Sequence, residues 1–155
     1  MRISHKADYG VRVVVAIARM ERDGPGVPVK REHLAEAEHV PAGFLPDILR
    51  ALRTSGLLRS TRGAEGGWNL NHPPERITVA DVIRDLEGPL ASVRGIRPHE
   101  LGQHGVDEPF VSLWVAVRAA LRSVLDQVTI ADLVAGRLPE PVAALLRDPD
   151  AWTAR

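Results

Sequence analysis

The stretch Pro28–Leu70, PVKREHLAEAEHVPAGFLPDILRALRTSGLLRSTRGAEGGWNL, decides the reading of the chain. Lys30 to Ala37 places Leu34, Ala35 and Ala37 on a short amphipathic helix, and Glu38-His39-Val40 forms a turn. Pro41 then suits a first helical position, where its missing N–H costs nothing. Phe44, Leu45, Ile48, Leu49 and Leu52 follow at helical spacing and predict a buried face. The opposite stripe is Gly43, Asp47, Arg50 and Thr54, with Pro46 and Arg53 beside it. Gly56 fits the left-handed position that closes a helix. Leu57–Ser60 and Trp68–Leu70 are strand candidates around Thr61–Gly67, whose three glycines permit positive φ at a hairpin tip.

Arg50, Arg53, Arg59 and Arg62 lie in a run without acidic residues between Ile48 and Ala64. Helix, helix and basic hairpin, in that order, is what a winged helix-turn-helix needs to hold double-stranded DNA. Arg59 and Arg62 flank the wing tip, where a guanidinium reaches a phosphate or a minor groove; a solvated hairpin charge is the competing reading. Arg2, Ser4 and Lys6 at the first helix, and Lys30 and Arg31 at the second, are candidate phosphate contacts, with ordinary surface polarity as the alternative. Base reading is expected from Gly43, Asp47 and Arg50. Asp47 repels phosphates but can accept a hydrogen bond from cytosine N4. Pro46 costs about 3 kcal/mol inside a helix, and less if the regular helix starts only near Gly43.

Outward from that stretch, Ser4 caps a first helix through Val11, Val14, Val15, Ile17 and Ala18, with Asp8 near its positive end. Thr78 with Asp81 starts another helix carrying Val79, Val82, Ile83 and Leu86, which Glu87-Gly88-Pro89 ends. Residues 91–108 show no sustained periodicity and predict a long exposed loop. Pro109 opens the longest helix, in which Phe110, Trp114, Val117, Leu121, Val124 and Val128 recur in steps of four and three. That seam predicts a two-chain interface. Thr129 and Asp132 start a short helix, and residues 136–155 form a tail without a fold assignment. The expected organisation is a mainly α chain with a small β-hairpin wing: a DNA-binding unit over 1–90, an effector-type loop over 91–108, a dimerisation helix with a short following helix over 109–135, and the tail.

Composition sets the bounds. A chain of 155 residues supports one compact domain with extra helices. Net charge is zero, but residues 1–76 carry twelve Lys+Arg against nine Asp+Glu, and residues 77–155 eight against eleven. An anionic partner is therefore directed to the first half. With no cysteine, disulfides, thiolate nucleophiles and thiolate-bound metals are excluded. No apolar run approaches a membrane span and the N-terminus lacks a signal-peptide core, so a cytoplasmic location is expected.

The opening MRISHKADYG, the segment LAEAEHVPAGFLPDILRALRTSGLL, the wing RSTRGAEGGWNL, ITVADVIRDLEGPL and SLWVAVRAALRSVLDQVTIADLV resemble, in order, the Rrf-two family of bacterial transcription regulators, the group that includes IscR, NsrR and CymR. The resemblance extends to about Val134. It implies a winged-helix domain, a long dimerisation helix and a homodimer, acting as a repressor on a partly palindromic operator. Arg62 matches the wing arginine that reads the minor groove in similar proteins. Many members hold an iron-sulfur cluster on three cysteines in the loop before the long helix. Residues 91–108 have none, so no cluster or other cofactor is expected, although Asp8 sits where some members place an acidic ligand. Asp8, His33, His99 and His104 remain candidates for a His/carboxylate metal site, against surface histidines as the simpler reading. The leading expectation is a dimeric DNA-binding regulator answering a small molecule or a partner protein rather than a thiol signal. The alternatives are a protein-interaction module that keeps the fold without operator binding, and a metal-responsive regulator. No nucleophile with a base and no phosphate loop supports an enzyme.

Overall fold

The computed structural model describes residues 3–41 and 43–153. Seven α-helices and one two-stranded sheet are described: α1 (His5–Asp23), α2 (Arg31–Ala37), α3 (Leu45–Thr54), β1 (Leu58–Thr61), β2 (Gly67–Leu70), α4 (Val79–Glu87), α5 (Glu108–Leu125), α6 (Ile130–Val134) and α7 (Glu140–Leu145). Three 3-10 turns, Pro74–Arg76, Pro98–His104 and Pro149–Trp152, lie between and after them.

α1 is the centre of the core. Val13 to Ala18 are six consecutive buried residues, so this helix is surrounded rather than laid on a surface. The Ser4 hydroxyl caps it, accepting from Ala7 N at 3.1 Å. α2, α3, α4, α6 and β2 pack around it, contributing Leu34, Leu45, Ile48, Leu49, Leu52, Leu70, Val82 and Ile130. The hairpin pairs Leu58 with Leu70 and Thr61 with Gly67. Leu58 and Leu70 are both buried, which anchors the base of the wing in the core. Val29 adds a short bridge to Trp68, donating and accepting at 2.9 Å.

The expected helix boundary at Pro41 moves. Phe44 N donates to the Pro41 carbonyl in a turn, and α3 starts at Leu45. Pro46 therefore stands in the first turn, where its absent N–H has no intrahelical acceptor to lose. Phe44, expected in the buried face, is 39% exposed and lies edge-on to Tyr9 with centroids 5.0 Å apart.

Residues 91–108 are not a featureless exposed loop. Val93 and Ile96 exchange backbone hydrogen bonds around Arg94 and Gly95, both at positive φ, and Pro98–His104 follows as a 3-10 turn with Leu101 fully buried. Two isolated apolar anchors, Pro98 and Leu101, hold it, and a pair spaced by three residues leaves no helical periodicity to read.

α5 packs along that 3-10 turn and touches α4, yet none of its 18 residues is buried. It ends at Leu125. Val128, expected to continue the α5 seam, is instead in the chain's own core, because residues 128–130 return to pair with residues 77–79. Val79 N donates to Val128 O, and Ile130 N to Ile77 O, each at 2.9 Å. The capping boxes at Thr78/Asp81 and Thr129/Asp132 form as their spacing predicts. The tail carries α7, with Val142 buried, and Trp152 Nε1 donates to Leu146 O at 2.8 Å.

Candidate nucleic-acid interface

The outward face of α3 presents Asp47 and Arg50, with Gly43 in the turn before it and Arg53 on its flank, all exposed. Asp47 and Arg50 are 3.1 Å apart, one helical turn from each other. The pair is more than two-thirds exposed on both sides, so it orients the guanidinium more than it stabilises the fold. Alongside α3 runs an open groove of about 950 Å³, bounded by Lys6, Phe44, Asp47, Arg50, Thr54 and Arg84.

The wing projects beside this helix. Arg59 lies on β1 and Arg62 just beyond it, both exposed, and neither has a hydrogen-bond or ion-pair partner among the described residues. Arg53 is likewise free among them. Three guanidiniums, on α3 and the wing, are thus left without an ion-pair partner among the described residues, where an anionic ligand competes with no internal bond. The wing glycines differ in what they do. Gly63 takes φ +103°, but a Cβ on Gly67 would stand 2.5 Å from the Val29 carbonyl oxygen. The latter makes room for the bridge that holds the hairpin down.

Of the other candidate phosphate contacts, Ser4, Lys6 and Lys30 are engaged within the chain. The Ser4 hydroxyl bonds the Glu87 carboxylate besides capping α1. Lys6 Nζ donates to Leu86 O at 3.0 Å, and Lys30 Nζ donates to the wing-tip carbonyl of Ala64. Arg31 stands exposed, 3.6 Å from Glu32. Arg2 lies outside the described residues.

Sequence reasoning missed the contact that sets the wing's attitude. Asn69 is 4% exposed, and its Nδ2 donates to Glu21 Oε1 at 2.8 Å and to Val27 O at 3.4 Å. Glu21 Oε1 also accepts from Leu70 N at 2.9 Å. The only sequence signal was an asparagine between Trp68 and Leu70, where a strand residue facing solvent would read the same.

The expected interface residues of α5 stay open. Phe110 is 56% and Trp114 37% exposed, with Leu113 and Val115 beside them. Val117, Leu121 and Val124 are half-buried. The candidate metal ligands do not converge: Asp8 pairs with Arg12 at 3.1 Å, His33 is exposed on α2, and His99 faces Glu100 at 3.7 Å. His104 ends the 3-10 turn. Among the described residues no three His, Cys, Asp or Glu side chains come together as a metal site.

Comparison with known proteins agrees with this geometry. The Rrf2 family profile, described as iron-dependent transcriptional regulator, matches residues 3–136. The chain is 47% identical over 148 residues to Rv1287 of Mycobacterium tuberculosis, assigned by name to the HTH-type transcriptional regulators, covering 96% of this chain and 90% of that one. The structure of CymR, the global cysteine regulator of B. subtilis, superposes with a TM-score of 0.71 at 31% identity, over 88% of this chain and 98% of that one. IscR of T. potens gives 0.67 at 29% identity, over 100% and 93%. The iron in the family description has no thiolate to bind here, and among the described residues the scattered histidines and carboxylates form no substitute set. The residues present do not fit a cysteine-held cluster.

Proposed function

Since the chain belongs to the Rrf2 family of transcriptional regulators, a family of regulators and not of enzymes, we propose that it is a cytoplasmic, homodimeric repressor that binds a partly palindromic operator. The observation that carries this reading is the unpartnered pair Arg59 and Arg62 on a wing fixed beside the exposed face of α3. The wing supplies much of the affinity, with Arg62 foremost. Gly43, Asp47 and Arg50 read bases, and Arg53 contacts phosphate. Arg2, Ser4, Lys6, Lys30 and Arg31 are further candidate phosphate contacts; in Ser4, Lys6 and Lys30 the internal bonds compete with any phosphate contact.

The second copy is drawn to α5. An 18-residue helix with no buried residue and with Phe110, Leu113, Trp114 and Val115 in water is unlike a monomer's surface. Pairing two such helices through Phe110, Trp114, Val117, Leu121 and Val124 buries them and yields a two-fold dimer. Its two α3 helices then address half-sites about one helical turn, or a multiple of it, apart. We assign residues 1–90 to DNA binding, 91–108 to the effector, and 109–135 to the dimerisation helix with the short helix after it. The regulator works without an iron-sulfur cluster or other cofactor, and its signal is a small molecule or partner protein not sensed through cysteine.

Titration of labelled DNA from the region upstream of its own gene, at two salt concentrations, tests this. Sequence-dependent binding that weakens steeply with salt is expected. Absence of binding, or binding indifferent to sequence, would favour an interaction module built on the same fold.

A further inference from the structure

Three arginines from three separate elements line one recess. Arg84 comes from α4, Arg97 from the extended residue before the 3-10 turn, and Arg118 from the middle of α5, with Gly88, Pro89 and Leu90 as the remaining wall. The recess holds about 340 Å³, and no carboxylate lines it. Arg84 is held by Asp126 at 2.7 Å and less closely by Asp81 at 3.4 Å. Asp126 also holds Arg122 at 2.8 Å, so a single carboxylate serves two guanidiniums. Arg97 and Arg118 have no partner among the described residues.

Guanidinium does not relieve crowding by losing its proton, unlike lysine, so this convergence stays cationic at any physiological pH. The recess is also built rather than incidental. Arg97 follows the tight turn at Arg94-Gly95 and precedes the buried anchors Pro98 and Leu101, which fix its backbone. Planar guanidinium forks from three elements around one recess match an oxyanion offering several acceptor oxygens. The volume lies at the small end of the roughly 300–1,000 Å³ range for ligand cavities.

We propose that this recess binds a small polyanion, a phosphorylated or polycarboxylate metabolite, and that its occupancy reaches the DNA face through Arg84. That side chain borders both this recess and the groove beside α3. A bound anion competes with Asp126 and Asp81 for its guanidinium and alters the charge at the edge of the groove. The binding site stands on the recess alone; the regulatory part rests on the chain being a DNA-binding regulator.

The test is calorimetric titration of the full chain with pyrophosphate and, separately, citrate, at an ionic strength held constant with chloride. The wild type is expected to bind at least one of them saturably, one per chain, and which one binds separates phosphate from carboxylate chemistry. Arg97→Gln and Arg118→Gln should each weaken binding about tenfold, consistent with loss of a charge-assisted contact, and the double variant should abolish it. Arg22→Gln, at an exposed pair with Asp23, should change nothing. Circular dichroism checks that each variant is folded. Heat that follows ionic strength without saturating, or binding that survives in the folded double variant, overturns the site. So does reduced DNA affinity in Arg97→Gln when the wild type binds neither anion, which would make the recess a contact for the DNA backbone. DNA affinity unchanged by a saturating anion overturns the regulatory part. Saturable anion binding by a chain that binds no DNA supports the site while rejecting the regulator reading.

Discussion

Glu21 in the last turns of α1 and the buried Asn69 of β2 are joined at 2.8 Å, and this bond fixes the wing to the central helix. The same carboxylate oxygen holds Leu70 N, so removing Glu21 leaves that backbone N–H without its partner and the buried Asn69 amide with only its 3.4 Å bond to Val27 O. Glu21→Ala should therefore destabilise the domain by about 1–3 kcal/mol, read as a lower urea midpoint with unchanged slope. Asn69→Ala should cost less, because Glu21 keeps its bond to Leu70.

Lys30 bears on the wing at its tip. With Nζ on the Ala64 carbonyl, it holds the wing tip rather than offering a free cation. Lys30→Met should lower DNA affinity while leaving the dependence of log affinity on log salt unchanged. A slope reduced by about 1 would show that Lys30 contacts a phosphate instead.

Acid should loosen the junction that returns the chain from α5 to its pairing with residues 77–79. Burial pushes the Asp126 carboxyl up, but hydrogen bonds from Arg122 and Arg84 outweigh it, and the net shift is below its ordinary 3.8. The Thr129 hydroxyl, then its backbone N–H, holds Asp132 below 3.8 as well. Carboxyls depressed in the folded state add stability that is fully present above their unfolded values and lost as pH falls through the folded ones. Stability should thus decline below about pH 4, and Asp126→Asn with Asp132→Asn should flatten that decline while lowering stability at pH 7.

Dimer formation is tested at Trp114. Trp114→Glu places a charge in the exposed apolar face of α5 without replacing a buried residue. Sedimentation should show a folded monomer, and operator affinity should fall at least a hundredfold, because each half-site then binds alone. A dimer that persists would move the interface elsewhere.

Much of this architecture was legible because it rests on local signals. Ser4, Thr78 and Thr129 announced their helices through capping spacing, and Gly56 marked the end of α3 with φ +86°. What failed was long-range. Val128 continues the heptad steps in sequence, yet the backbone pairing of 77–79 with 128–130 draws it into the core. Leu101 and Pro98 form an anchor too brief to produce a period. Glu21 and Asn69 are 48 positions apart, and nothing local marks either as a partner. At the interface, sequence gave residue types and strand order, while only the fold showed that Arg59 and Arg62 stay unpaired as Lys6 and Lys30 are taken up internally.

The most direct measurement compares wild type and Arg62→Ala on one operator fragment at two salt concentrations. If the wing carries much of the affinity, the variant should bind at least tenfold more weakly, with a salt slope shallower by about 1 per arginine lost from the interface. Affinity and slope unchanged by Arg62→Ala would contradict the wing-led account of this regulator.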